Sequence, residues 1–494
     1  MAERAGPGEL PDLAGLSPAQ AAGVRRAHAA GQGGVLRFWA GLDLAGRRRL
    51  AEELAGVDFG LVGRLIAEHV TNKGSGAAPA APGPAPEPAP VERLPADPAG
   101  RAGQERFRRA GEAALAAGRV AALVVAGGQG TRLGFDGPKG GYPCGPVTGR
   151  TLFRHHAEKV LAASRRWGRA IPWLVMTSAA NDRATREYLA AEGFFGLDPG
   201  TVPVFQQGML PASDRAGQLV LEAPDRLALS PNGHGGTIGA LAGAGLLSRL
   251  AAQGVEAVSY FQVDNPLVRA LDPVFIGRHL AAGAEMSIKV VRKREALEKV
   301  GVAVRRGGRL EVIEYSDLPA ELAAERDGGG ELRYWAGSIA IHVFALPFLA
   351  RLAEEARAGG GLPYHRAEKA VPCVDGSGQT VRPAGKNGIK FECFIFDALP
   401  LARRGLVVET CREQEFAPIK NAAGEDSAES CRALLVAEWA RWIEAAGGAV
   451  PRRADGAVDG RIEISPLYAL DEAELAGKLP AGFRMAPGAD LVLA

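Results

Sequence analysis

The chain alternates short unbroken apolar runs with longer stretches in which apolar residues recur every three or four positions. The runs are AALVVA at 121–126, PWLVMT at 172–177 and VSYFQV at 258–263. Each is strand-length and has no polar face, as expected of parallel strands covered on both sides. Helix-spaced segments separate them, starting with 99–118. This order predicts the α/β class: a mixed, mostly parallel sheet with helices on both faces, and ligand at the carboxyl ends of the strands. From 286 to 344, SIKVVRK, GVAVRR, RLEVIEY and GSIAIHVF follow one another across short turns. They predict an antiparallel addition to the sheet and a second lobe flanking the cleft. Residues 36–66 carry an amphipathic helical pattern, GSGAAPAAPGPAPEPAP at 74–90 reads as an extended linker, and 426–446 predicts a helix ahead of the short strand in RIEISPL. The expected organisation is an N-terminal helical domain at 1–73, a Pro/Ala-rich linker at 74–98, the main α/β domain at 99–425 and a small C-terminal domain at 426–494.

The 494 residues are 47% hydrophobic and 23% charged, which excludes a disordered chain and a small disulfide-stapled one. Lys and Arg number 58 against 56 Asp and Glu, a net charge of +2. No global field exists to hold nucleic acid or a membrane, so any anion site must be local. Five scattered cysteines without metal-type spacing suggest a reducing compartment. The opening MAERAGPGEL has no apolar core and no apolar run approaches roughly twenty residues, so the expectation is a soluble cytoplasmic protein. Nothing in the sequence bears on assembly.

The segment AGGQGTRLGFDGPKGGYP at 126–143 directly follows the first buried run. Its glycines let backbone N–H groups close on an anion without side-chain obstruction. Gly128, Gly130 and Gly134 imitate a dinucleotide fingerprint, but the second strand ending in an acidic residue is missing, and the region reads TGRTLFRHH. That also argues against a nicotinamide-dependent oxidoreductase. A Walker A loop needs Ser or Thr after its Lys, and Lys139 is followed by Gly140. A purely structural Gly-rich turn is the remaining alternative; Arg132 and Lys139, two cations within one loop, point instead to an anionic ligand.

The loop resembles the signature of the eukaryotic-type UDP-sugar pyrophosphorylases, most closely those acting on UDP-N-acetylhexosamines. The resemblance continues through FFGLDPGTVPVFQQGMLPA at 194–212, PNGHGG at 231–236, VDNPLVRALDPVFIG at 263–277, EKVGVAV at 298–304, VIEYSDLP at 312–319, NGIKFECFIFD at 387–397 and REQEFAPIKN at 412–421. It implies a nucleotidyltransferase-type, Rossmann-like fold, with 99–425 as the catalytic domain. The implied reaction is attack of a sugar-1-phosphate on the α-phosphorus of UTP, giving a UDP-sugar and pyrophosphate. Two unit charges at roughly 4 Å repel by about 4 kcal/mol at an effective dielectric of 20, so fixed cations and a metal ion are required. The phosphate is already nucleophilic, and positioning with electrostatic stabilisation carries the chemistry.

By this resemblance Arg132 and Lys139 clasp the triphosphate and departing pyrophosphate, Lys390 serves the α-phosphate region and Lys420 the sugar phosphate. With Mg²⁺ they supply about six positive charges against roughly six negative ones. Asp264, just past the VSYFQV run, is the expected protein ligand of Mg²⁺, with Asn265 in support and waters and phosphate oxygens completing the shell. Asp272, before Pro273, reads as a helix cap. Gly127 and Gly128 bring backbone to the uracil edge, Gln207 and Met209 match the family's uracil-side segment, and Pro231, Gly233 and Gly235 continue that wall. Sugar contacts are implied at Gly301, Glu314, Phe394 and Phe396; alternating Phe otherwise signals core packing.

Two positions depart from the N-acetylhexosamine pattern. His234-Gly235-Gly236 replaces Asn-Gly-Gly and is more typical of UDP-glucose enzymes, and Ser338 replaces an Asn beside the sugar, removing an amide donor. N-acetylglucosamine-1-phosphate is the expected substrate and glucose-1-phosphate the alternative. His234 either bonds a sugar hydroxyl or fills a turn, while His342 and His365 read as structural. A non-catalytic nucleotide-sugar-binding regulator is the different-class alternative. The presence together of Arg132, Lys139, Asp264, Lys390 and Lys420 argues against it.

Overall fold

The computed structural model describes residues 10–71, 84–95 and 97–494. Residues 74–83 and 96 of the linker expected at 74–98 lie outside these residues. The chain divides into two compact units.

The larger unit comprises 83–206, 237–354 and 396–494. Its sheet holds β1 (Glu87–Pro88), β2 (Val120–Val125), β3 (Trp173–Thr177), β4 (Val204–Gln206), β5 (Ala257–Gln262), β6 (Met286–Arg292), β7 (Val302–Arg306), β8 (Arg309–Ile313), β9 (Ala336–Ala345) and β10 (Gly405–Glu409). The path is β1-β7-β9-β5-β2-β3-β4, with β6 beside β9 and β10, and β8 beside β7. Strands β5, β2, β3 and β4 are parallel, whereas β9 runs antiparallel to β5 and β6. Every residue of β2 and β3 is buried, the burial their unbroken apolar sequences require. The segment 286–344 supplies the antiparallel addition expected of it, although β6 also pairs in parallel with β10.

Helix Leu152–Arg166 starts at Thr151, whose side chain accepts from the Arg154 N–H. Asp272 caps helix Pro273–Ala282 by accepting from the Val274 N–H at 2.9 Å, as read from the sequence.

The C-terminal residues build no separate core. Helix Ala428–Ala445 and the parallel strands Gly460–Ile464 and Ala489–Leu493 contribute Leu435, Trp439, Ile443, Ile462 and Ile464 to the cluster that holds Phe153, Val160 and Trp173. The boundary expected at 426 therefore marks no break in packing.

The smaller unit comprises 1–82, 207–236 and 355–395. Helices Leu44–Gly56 and Phe59–Ile66 form within 36–66, where the sequence places helical pattern, and helix Pro18–Ala29 precedes that stretch. Their apolar faces share one core with Leu210, Leu219, Leu221, Leu227, Ile389 and Phe391. Gln32 reinforces this junction: its Nε2 donates to the Gly217 carbonyl at 3.0 Å and its Oε1 accepts from the Leu219 N–H at 2.8 Å. An N-terminal domain ending at 73 is thus corrected to one part of a unit completed by 207–236 and 355–395, because short helices need a non-local partner to bury their apolar stripe. All five cysteines are free.

Candidate active site

In the larger unit the glycine-rich segment leaves β2 and folds back on itself. Gly130 N–H donates to the Gly137 carbonyl at 3.0 Å and Lys139 N–H to that of Gly128 at 3.1 Å. Gly140 is required at the base of this turn, where a Cβ would lie 2.2 Å from the ring of Phe153. The return brings Lys139 to the end of the neighbouring strand β5.

Two side chains missed in the sequence anchor the loop. Asn181 Nδ2 donates to the carbonyls of Ala126 at 2.7 Å and Gly128 at 3.0 Å, and Ser178 Oγ donates to that of Gly127 at 2.7 Å. Asn181 Oδ1 accepts from the Ser178 N–H at 2.9 Å, which fixes the pair. In a trans peptide C=O and N–H point in opposite directions. The three tied carbonyls therefore turn the N–H groups of Gly127, Gly128 and Gln129 away from Asn181 and Ser178, and successive backbone donors of this kind can receive anions and polar ring edges.

Lys139 Nζ lies 2.8 Å from Asp264 Oδ2, with side chains only 16% and 18% exposed. Burial alone would raise the Asp264 pKa; the ammonium groups of Lys139 and then Lys420 more than offset it and hold the carboxyl below its ordinary range. The Ile419 N–H donates to the Asp264 carbonyl at 2.9 Å, bringing Lys420 alongside. Lys420 is exposed and pairs with Asp426 at 3.3 Å, and Arg132 is exposed on the loop with no ion pair to a described residue.

A buried network fixes the Lys420 segment. Asn265 Nδ2 donates to the Glu415 carbonyl at 2.7 Å and its Oδ1 accepts from the Ala417 N–H at 3.0 Å, so Asn265 supports Asp264 through the backbone. Lys289, 2% exposed, bonds both Glu415 carboxylate oxygens at 2.6 Å and Asp272 at 2.7 Å; Thr410 adds a bond of 2.6 Å to Glu415. Lys289 and Glu415 were not singled out from the sequence, where an isolated charge reads as a solvated one.

Three expected sugar-side residues gather elsewhere in this unit. Ser338 N–H donates to the Gly301 carbonyl at 2.7 Å, and a Cβ on Gly301 would stand 4.0 Å from Glu314 Oε1. Glu314 is half-buried at the end of β8. His342 is fully buried and stacks on Tyr260, a structural role as expected.

The smaller unit carries Gln207, Met209, Pro231, Gly233, His234, Gly235, Lys390 and Phe394. Met209 and Pro231 face each other in a two-stranded pair, and Gln207 is buried just before it. Gly233 has φ +85° and its Cβ would meet the Cys393 carbonyl at 2.3 Å, so the 231–236 loop lies directly on the chain at 393. His234 Nδ1 accepts from the Ile395 N–H at 3.2 Å, and burial pushes its pKa down to about 4. The imidazole is therefore neutral and carries its proton on Nε2. Its ring lies 5.5 Å from Phe394, which stacks on His365 at 4.7 Å, so His365 backs this wall. Lys390 is half-buried on strand Gly388–Cys393, opposite Ala367.

That strand ends at Cys393, before either Phe of FECFIF beyond Phe391. Phe394 is half-buried in the stack, whereas Phe396 is 8% exposed in the 3₁₀ turn Ile395–Leu401 of the following segment. Strand alternation does not place the two on one face, and Phe396 is core.

A glycine-rich loop after a buried parallel strand, with a lysine and a carboxylate meeting at the next strand end, is the arrangement of a nucleotidyltransferase that works on phosphate groups. The chain belongs to the UTP–glucose-1-phosphate uridylyltransferase family, whose model matches residues 100–455. It is 36% identical over 481 residues to UDP-N-acetylglucosamine diphosphorylase 2 of Arabidopsis thaliana, covering 93% of this chain and 91% of that protein. It is 38% identical to UDP-N-acetylhexosamine pyrophosphorylase-like protein 1 of Homo sapiens, covering 85% of each. The crystal structure of the uridine diphosphate N-acetylglucosamine pyrophosphorylase from Trypanosoma brucei aligns with a TM-score of 0.78 and 27% identity, over 96% of this chain and 99% of that one.

Proposed function

We infer that this uridylyltransferase joins UTP and N-acetylglucosamine-1-phosphate, releasing pyrophosphate. The observation that carries the chemistry is the half-closed Lys139–Asp264 pair at the mouth of the glycine-rich loop, with Lys420 beside it. The sugar is assigned from the relatives at 36–38% identity, whose names carry N-acetylglucosamine or N-acetylhexosamine.

Lys139 and Asp264 neutralise each other at little solvent exposure. Among the described residues no group of three or more His, Cys, Asp or Glu side chains is disposed to hold a metal. One carboxylate suits Mg²⁺, a hard ion that keeps waters and takes substrate phosphate oxygens, and does not suit a resident metal cage. Asp264 would hold it, and when bound it supplies two positive charges against the phosphates. Lys139 would turn its ammonium to the triphosphate as the nucleotide binds, exchanging one anionic partner for another. Arg132 takes the departing pyrophosphate, Lys420 the sugar phosphate and Lys390 the α-phosphate.

An oxygen of the sugar phosphate attacks the α-phosphorus in line, the bond from that phosphorus to the bridging oxygen breaks, and pyrophosphate leaves. No protein base is needed, because the attacking phosphate is ionised at neutral pH. The outward N–H groups of Gly127 and Gly128 receive the uracil edge. Gln207, Met209, Pro231, Gly233 and Gly235 line its surroundings, with the neutral His234–Phe394 stack as an uncharged wall. Gly301, Glu314 and Ser338 face the sugar. The free cysteines support a reducing, cytoplasmic setting.

Pyrophosphate release from UTP, measured with N-acetylglucosamine-1-phosphate, N-acetylgalactosamine-1-phosphate and glucose-1-phosphate, tests this reading. Fastest turnover with the first is expected. Faster turnover with glucose-1-phosphate overturns the sugar assignment, and no release with any of the three overturns the reaction.

A further inference from the structure

Behind the turn that carries Asp264, within the larger unit, lies a cavity of about 890 Å³. One wall is the unbroken run 266–274, which begins two residues after Asp264. Trp167, Trp439 and Trp442 supply three indoles to the lining. The Trp442 ring is held by its Nε1–H bond to Glu438 at 2.7 Å. A space of this size, in which apolar and aromatic surface lies among charged groups, is large enough for a small molecule.

Lys159 stands out among the lining charges. Its Nζ donates to the Pro266 carbonyl at 2.5 Å and the Val268 carbonyl at 2.6 Å, and it forms no ion pair with a described residue. An ammonium has three donors, so one remains. Of the lining carboxylates, Asp471 and Glu474 pair with Arg166, Glu472 and Glu438 with Arg441, and Asp272 with Lys289, while Glu112 forms no ion pair with a described residue. Arg269 donates to Gln414 at 3.0 Å and sits 3.8 Å from Glu438. The cavity thus joins apolar aromatic surface to one lysine that forms no ion pair with a described residue. Burial pushes the Lys159 pKa down to about 7, as an unmatched ammonium requires.

We propose that this cavity is an effector site for a planar aromatic molecule bearing one carboxylate or sulfonate, its rings against the tryptophans and its anionic group on Lys159. An acceptor that draws Lys159 off the carbonyls of Pro266 and Val268 loosens the turn next to Asp264, so occupancy lowers turnover. This consequence rests on the uridylyltransferase reading, while binding itself does not.

The probe is 1-anilinonaphthalene-8-sulfonate, titrated onto the full chain with excitation of tryptophan. Saturable one-to-one binding with sensitised dye emission is expected, undiminished by saturating UTP and sugar phosphate, with pyrophosphate release falling about twofold or more. The double variant Ala445→Trp/Ala473→Trp, which fills the cavity, should lose binding and inhibition together while keeping its own basal turnover. Lys159→Met should weaken dye binding about tenfold and serves where the filled variant does not fold. Dye displaced by UTP, or bound equally by the filled variant and by Lys159→Met, overturns the site. Binding without any change in turnover overturns the effector role. An enzyme without pyrophosphate release, yet binding the dye as described, would refute the proposed reaction and leave the site standing.

Discussion

The phosphate end of the larger unit and the aromatic wall of the smaller one solve opposite problems. Around Asp264 the functional groups are charged and kept from solvent by pairing: Lys139 with Asp264, Lys289 with Glu415 and Asp272. Around His234 they are neutral and stacked, with the histidine tied through Nδ1 to the backbone. Charges that must meet phosphates can be stored only if something matches them beforehand, since an unpaired buried ion costs several kcal/mol. A surface for a base or sugar has no such requirement and gains from staying uncharged. The contrast teaches that ligand charge is anticipated in the resting protein at one region and avoided at the other.

The strongest way to break the comparison is at the stored pair. Lys139→Ala or Asp264→Ala should lower kcat/KM about a thousandfold, or about 4 kcal/mol of transition-state stabilisation, with far-UV circular dichroism unchanged. Next, Glu415→Gln leaves Lys289 with only Asp272 and should cost about 3 kcal/mol in urea unfolding.

The larger unit also keeps buried histidines neutral, and pH probes them. His279, 2% exposed with Nδ1 on Ser287 Oγ, is pushed down by burial to about 4, and His156, fully buried, to about 3. Both are neutral in the folded chain, while in the unfolded chain they take protons near 6.5. Stability should be level above pH 6.5 and fall as pH drops toward 4, by about 2 kcal/mol for each imidazole at pH 5. His279→Gln should flatten its share of that slope. The smallest effect belongs to the loop anchor. Asn181→Ala frees the carbonyls of Ala126 and Gly128 and should raise the KM for UTP about tenfold, with thermal stability nearly unchanged.

How far these features can be read from sequence depends on where their partners lie. Buried parallel strands announce themselves, because 121–126 and 173–177 have no polar face to hide. The glycine-rich loop and Asp264 were visible because each directly follows such a run. The extent of the units was not visible. Gln32 finds its partners at Gly217 and Leu219, and Ile443 and Ile464 join a core with Phe153, pairings that no local pattern encodes. Asn181 escaped notice because Ser-x-x-Asn before a helix reads as a cap, yet its side chain turns back to the loop and makes no cap bond. Lys289 and Glu415 look like ordinary surface charges until folding brings them together across 126 residues. Phe396 misled because the strand stops at Cys393, directly before Phe394, so the alternation never applies.

The central claim is that Lys139 and Asp264 are partners only while the site waits, and serve different ligands during turnover. A double-mutant cycle on pyrophosphate release with Lys139→Met and Asp264→Asn tests it directly. Separate roles predict that the double variant is slower than either single one, its loss approaching the product of the two. A double variant that recovers toward the parent rate would show a simple structural ion pair and contradict the account.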